Sequence, residues 1–232
     1  MFGAAAGVLA AAAGLVLGDL VAATFHWAED NYLAYCADAH PFLARLARDN
    51  ELHHFFPRAI VRYSWWENSA NSVAIAAVLL AVYACCCGPR RPLVHLLVLS
   101  GLAAAAAANV FHKWSHMRDC EVGPLLLGLR RAKVLCDHDY HSRHHARPES
   151  RYNVIFRATG LLSDPLHALL ERLVFAALGV RPDRFRGLAQ ESDRWTGAQW
   201  HAHVSACPSV PSEAEVALAE ETLLDTRQSR EK

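Results

Sequence analysis

Apolar positions in this chain fall into three long runs separated by polar segments. Residues 3–25, from Gly3 to Phe25, are interrupted by a single charge, Asp19. A stretch of about 20 apolar residues matches the hydrocarbon core of a bilayer. No Lys or Arg precedes the run, whereas a cleaved secretory signal usually starts with a basic segment, so a retained span is expected. Residues 70–87 form the second run and residues 93–111 the third, which includes the six alanines Ala103 to Ala108. Between them, Gly88-Pro89-Arg90-Arg91-Pro92 breaks any helix. The two runs therefore predict a membrane hairpin with a tight turn, whose small residues let helices approach closely.

The remaining segments are more polar. Residues 26–69 are polar and aromatic. Gly123 to Leu129 is apolar but short, as in an interfacial or re-entrant helix. Residues 154–180 carry Arg157, Asp164, His167, Glu171 and Arg172, which fits an amphipathic surface helix as well as a fourth span. From 183 onward the chain reads as a soluble tail, and its acidic stretch from Glu213 to Asp225 is either a surface helix or a solvated terminus. The expected fold is all-α: an integral membrane protein with three to four transmembrane helices and a histidine-rich cap on the cytosolic side. Residues 1–182 would form the membrane domain and 183–232 the tail.

Composition narrows the function. Of the 232 residues, 53% are hydrophobic, and 23 Lys and Arg balance 23 Asp and Glu. That balance gives no support to nucleic-acid binding, which needs a basic surface. Among the seven cysteines, Cys85, Cys86 and Cys87 are adjacent, which argues against a disulfide framework. Histidine is the unusual residue, with 14 copies, most of them clustered.

Three spans place the clusters on one side of a membrane. If the first span ends at His26, residues 26–69 lie on that side; the hairpin leaves and returns at His112. His26, His53, His54, His112, His116, His141, His144 and His145 then share one face. Arg45, Arg48, Arg58 and Arg62 lie there too, with eight further Lys and Arg between 112 and 151, against Arg90 and Arg91 opposite. The positive-inside rule makes this face cytosolic.

Four motifs carry the chemistry. They are His26-Trp27-Ala28-Glu29-Asp30, the pair His53-His54, the HxxxH of His112 and His116, and the HxxHH of His141, His144 and His145. Residues three or four apart share one helical face, so each spaced motif can aim its imidazoles at one point. Imidazole suits iron and zinc. Eight imidazoles and the Asp30 carboxylate exceed the needs of one zinc and suit two irons. A di-iron centre can activate O2 and remove hydrogen from an unactivated C–H bond, chemistry no side chain performs alone. A lipid chain is the substrate a membrane site reaches. Asp19, within the first span, either pairs with a histidine standing behind the ligands or marks a cavity-facing helix face. His40, His95, His138, His167, His201 and His203 fit no spacing and read as surface or core residues.

At these residues the chain resembles the plasmanylethanolamine desaturase family, also called the Kua or lipid desaturase domain, with chloroplast acyl-lipid desaturases as relatives. The resemblance runs over about residues 10–182. It is carried by HWAED at 26–30, HHFFP at 53–57, Arg62, Glu67, FHKWSH at 111–116, HSRHHARP at 141–148 and RYNVIFRATG at 151–160. It implies an O2-dependent di-iron lipid desaturase that turns an ether-linked alkyl chain into a vinyl ether, as in plasmalogen synthesis. It also implies a b5-type cytochrome as electron donor in the endoplasmic reticulum, or ferredoxin in a plastid. The nine motif residues carry over as iron ligands or their orienting partners, with Asp19, Glu67 and Glu149 as further candidates. Where the ether-lipid branch tends to have histidine, this chain has Tyr63, Tyr140 and Glu149. An acyl-lipid desaturase or hydroxylase would use the same site. A metal-binding membrane protein or transporter is the alternative of another class, and would want polar ligands at mid-span.

Overall fold

A computed structural model describes residues 3–55, 59–89 and 91–182. The described residues are mostly helical, with one isolated antiparallel bridge, Leu135 to Phe156, and no strand. The helices are α1 (Ala4–Tyr32), α2 (Pro41–Phe55), α3 (Ala59–Arg62), α4 (Trp65–Cys86), α5 (Pro92–His116), α6 (Pro124–Arg131), α7 (His138–Ala146) and α8 (Gly160–Leu178). Short 3-10 turns precede α2, α6 and α8.

Helices α1, α4 and α5 are long and apolar enough to cross a membrane, as the three runs predict. Each extends beyond its run. Helix α1 continues through the HWAED motif because no Gly or Pro interrupts 19–32. Helix α5 likewise continues to His116. Its C-terminus is closed by the buried Arg130, whose guanidinium donates to the carbonyls of Trp114 and Met117. Helix α8 is not among the long apolar helices, so its charges and Pro165 fit the amphipathic reading of 154–180. Helix α6 covers the short apolar stretch at 123–129. Helix α2 had no counterpart in the hydrophobic pattern. The predicted tail from 183, with His201, His203 and the acidic stretch, lies outside the described residues.

Contacts divide the chain into two compact units. One comprises Met1–His26 and Ser64–Leu169, the other Trp27–Tyr63 and Leu170–Lys232. In the first unit, α4 and α5 form the predicted hairpin. Pro92 starts α5, where a missing N–H costs nothing. Ser64 and Glu67 form a capping box at the start of α4. Asn68 and Ser72 bridge to the α5 carbonyls of Asn109 and Ala106, at 2.6 and 2.9 Å.

Helices α1 and α5 approach each other closely at two glycines. A Cβ on Gly14 would run into the Leu97 carbonyl and the Ser100 hydroxyl, and one on Gly18 into the Gly101 carbonyl and the Ala104 methyl. Gly14 faces Ser100 and Gly18 faces Ala104, so the two helices run parallel with a fixed register. The seam continues at four-residue intervals through Ala22, which packs against the cluster containing Ala104 and Ala108. Four residues further on it reaches His26 on α1 and His112 on α5. Small residues at such intervals are the usual means by which membrane helices pack without a hydrophobic driving force.

The second unit is built from the end of α1, the 3-10 turn Leu33–Ala39, α2, α3 and the end of α8. Trp27 donates its indole N–H to Glu171 at 3.2 Å, and Asn31 caps the Trp27 carbonyl at 2.6 Å.

Replacing Gly14 or Gly18 by Leu forces α1 and α5 apart. The expected loss is about 1–3 kcal/mol per site, the usual cost of overpacking. Thermal unfolding of the purified protein in detergent measures it, and an unchanged midpoint would contradict the close seam.

Candidate metal centre

Two short sequence signals build the core of the site. Helix α5 puts His112 and His116 one turn apart, and α7 does the same for His141, His144 and His145. Helix α7 starts where Asp137 accepts the Tyr140 backbone N–H at 2.8 Å. Burial alone would raise the Asp137 carboxyl. The Tyr140 N–H, Lys133 and Arg157 outweigh burial and hold it below the ordinary carboxylate range. The cap therefore stays ionised at neutral pH.

In the first unit His112, His116, His141 and His145 each aim a ring nitrogen at one small volume, these atoms lying within 4.8 Å of one another. His141 is central: its Nε2 is 2.9 Å from His112 Nε2 and 3.2 Å from His145 Nε2. Its ring centroid is 4.5 Å from that of His116. Burial, then the neighbouring His116 and His112, push its pKa well below the ordinary histidine value. A neutral imidazole with its lone pair turned toward others is what a metal ligand requires.

His26 and His144 form a second pair, with ring centroids 4.8 Å apart and ligand atoms in one convergent group. Their other nitrogens are held from behind. His26 Nδ1 lies 2.8 Å from the Tyr152 carbonyl, and His144 Nδ1 lies 2.8 Å from the Ser150 carbonyl. A carbonyl can only accept, so each Nδ1 carries the proton and each Nε2 keeps its lone pair. This is the tautomer control seen behind metal-bound histidines. The donor set therefore fits one or more first-row metal ions.

The 150–156 segment is in turn pinned to α1. Asp19, fully buried, accepts the backbone N–H groups of Ile155 and Phe156 at 3.1 and 3.0 Å. Asp19 thus holds the loop whose carbonyl orients His26. What Asp19 binds here is backbone, the N–H groups of a segment far along the chain. Loop carbonyls carry no side-chain signal, so Tyr152 and Ser150 were invisible as orienting groups. His167 is buried, as one of the two readings held. Its hydrogen-bond contact is Thr24 at 3.3 Å, its ring packs on Tyr152, and burial pushes its pKa down to about 4.

In the second unit, His54 Nε2 lies 3.2 Å from the buried Asp30 carboxylate, and Asn50 donates to that carboxylate at 2.8 Å. His53 is adjacent, its ring 5.8 Å from that of His54. The other candidates are placed differently. Glu67 is exposed and accepts the Ser64 N–H in the α4 capping box. Glu149 is exposed and belongs to neither convergent group among the described residues. Tyr140 is buried and donates its hydroxyl to Asn153 at 2.9 Å, while Arg151 and Arg157 stack on its ring. Tyr63 is half-buried.

The family model for the lipid desaturase domain matches residues 15–184. A chloroplastic fatty acid desaturase 4-like protein of Arabidopsis thaliana is 29% identical over 192 residues, which are 81% of this chain and 62% of that protein. A plasmanylethanolamine desaturase of Myxococcus xanthus is 30% identical over 179 residues, 73% of this chain and 60% of that protein. The chain thus spans less than two thirds of the length of these relatives. No solved structure matches it.

Replacing Asp19 by Leu strands two buried N–H groups, each at a cost of about 1–3 kcal/mol. The variant is expected to unfold at lower temperature and to retain less metal when purified. Metal analysis and thermal unfolding of the same preparation check both, and wild-type values in both would show that the loop stands without this anchor.

Proposed function

The chain belongs to the lipid desaturase domain family, and on that footing we propose that it is an O2-dependent di-iron desaturase of membrane lipids. We assign as ligands or their immediate partners His26, Asp30, His53, His54, His112, His116, His141, His144 and His145. One observation carries the reading: three imidazole Nε2 atoms, of His112, His141 and His145, crowd together in a chain of this family. Neutral imidazoles that turn ring nitrogens toward one small volume can serve together as ligands of a cation there.

Bound iron would supply the reduction of O2, coupled to removal of two hydrogens from adjacent carbons, with two electrons and two protons from a donor giving one C=C bond and two waters. The chain's own groups prepare the site for this. The Tyr152 and Ser150 carbonyls keep the Nδ1 proton on His26 and His144. Burial keeps His141 neutral. The histidines lie at helix ends rather than at mid-span, which favours an enzyme acting at the membrane surface over a transporter.

The preferred substrate is the alkyl ether chain of a plasmanyl phospholipid, giving a vinyl ether. The relative from Myxococcus xanthus supports this reading by its name. The chloroplastic relatives favour an acyl chain instead. The proposed electron donor is a b5-type cytochrome at the endoplasmic reticulum, with the clusters cytosolic, or ferredoxin in a plastid.

Cells expressing the chain should accumulate an unsaturated lipid, and lipid profiles before and after acid treatment identify it. Loss on acid treatment marks a vinyl ether, and persistence marks an acyl double bond. His112→Ala and His141→Ala are expected to abolish the product and to lower bound iron while the protein still inserts in membranes. Full product from either variant, or a wild-type protein that retains zinc alone, would refute the di-iron assignment.

A further inference from the structure

Beside the histidines, the first unit has a second polar feature that the redox chemistry leaves unused. Residues following α5, the end of α6 and the start of α7 border an open cavity of about 490 Å³. Arg118, Arg131, Lys133, His138 and Ser142 line it, together with Arg130 and three aspartates. The aspartates are already engaged. Asp119 accepts from Arg130 at 3.3 Å, Asp137 from Lys133 and Arg157, both at 3.1 Å, and Asp139 from Arg143 at 2.8 Å. Arg118 and Arg131 have no ion-pair partner among the described residues, and both are exposed. Two guanidiniums on one concave wall suit a phosphate, which accepts their N–H groups in pairs.

Backbone strain points the same way. Lys133 has φ 58°, in the left-handed region where a helix end usually has glycine. Its N–H closes α6 on the Arg130 carbonyl at 2.8 Å. A lysine held there keeps at the cavity the ammonium group that engages Asp137, which leaves the two arginines to face a ligand.

The level of the cavity identifies the source of the phosphate. It begins two residues beyond the C-terminus of α5, the hairpin end where α4 starts with the exposed Trp65 and Trp66. Tryptophans at a span end mark the headgroup layer. Leu125, at the start of α6, is exposed, as on a helix resting at that layer. Helix α7 also joins the two sites: His138 and Ser142 line the cavity, and His141, His144 and His145 belong to the metal centre.

We propose that this cavity holds the phosphate of a glycerophospholipid, placing the glycerol end of the lipid next to the metal centre. The assignment rests on the lipid-desaturase reading for the fate of the chain. It explains how one nine-residue helix can serve a substrate whose reacting carbons are bonded, as in a vinyl ether, close to the glycerol.

The test is binding without turnover, on the full chain in detergent. Dihexanoylphosphatidate is the probe, dihexanoylglycerol the phosphate-free control and inorganic phosphate the competitor. The double variant Arg118→Gln, Arg131→Gln is expected to bind the phosphatidate about tenfold or more weakly, because two charge-assisted hydrogen bonds are lost. Control binding and bound iron should not change. Unaltered phosphatidate affinity in the variant would overturn the proposal. So would inorganic phosphate binding as tightly as the phosphatidate, which makes the cavity a free-phosphate site. Normal phosphatidate binding with lost reduction by a b5-type cytochrome would reassign the surface to the electron donor. A wild-type protein that binds the phosphatidate through these arginines yet makes no unsaturated lipid would keep this site and sink the desaturase reading instead.

Discussion

The seam between α1 and α5 is the constraint on which the first unit depends. Gly14 and Gly18 lack the atoms that would hold the helices apart, and Ser100 and Ala104 meet them with small side chains. Within a bilayer this closeness must come from packing alone, since lipid is as apolar as the helices. The seam sets a parallel register, and that register ends in a histidine on each helix. The rings of His26 and His112 accordingly sit 5.0 Å apart. A shift of one residue along either helix would turn one ring about 100° around its axis and out of the site.

A second constraint comes from the opposite direction. Asp19 lies within the same helix as the glycines but faces the 150–156 segment, whose N–H groups it binds. That segment is also tied to residues 134–136, through Cys136 N–H to the Ile155 carbonyl and Arg157 N–H to the Val134 carbonyl. One helix thus fixes the position of α5 through its small face and that of the α7 loop through its carboxylate. An acidic residue in an apolar span is costly unless its charge is answered. Here backbone amides answer it, and the same bonds keep the Tyr152 carbonyl in place behind His26.

The polar surface next to the histidines follows from how the helices stop. Arg130 closes α5, Lys133 closes α6 in a left-handed conformation, and Asp137 opens α7. The ends of α5 and α7 are satisfied by the side chains of Arg130 and Asp137, and that of α6 by the backbone N–H of Lys133. The result is a basic wall whose aspartates are paired, Asp119 with Arg130 and Asp137 with Lys133, while Arg118 and Arg131 have no ion-pair partner among the described residues. Local helix chemistry and the basic lining of this cavity are thus two consequences of one set of residues.

Much was legible in the residues themselves. Run length marked the three spans because a helix must be apolar over the full bilayer, and i, i+3 and i, i+4 spacing marked the histidines on α5 and α7 because helical periodicity is local. The family resemblance alone named Glu67 and Glu149, whose positions only the fold reveals: one closes a capping box and the other faces solvent. Sequence also could not show that Tyr152 and Ser150 orient histidines, since a backbone carbonyl looks alike at every position. Nor could it show what Asp19 binds, because its partners lie more than 130 residues away. Periodicity reports which residues share a face of one helix; which faces meet, and which carbonyls stand behind a ring, depends on packing between distant segments, and that is a property of the tertiary structure alone.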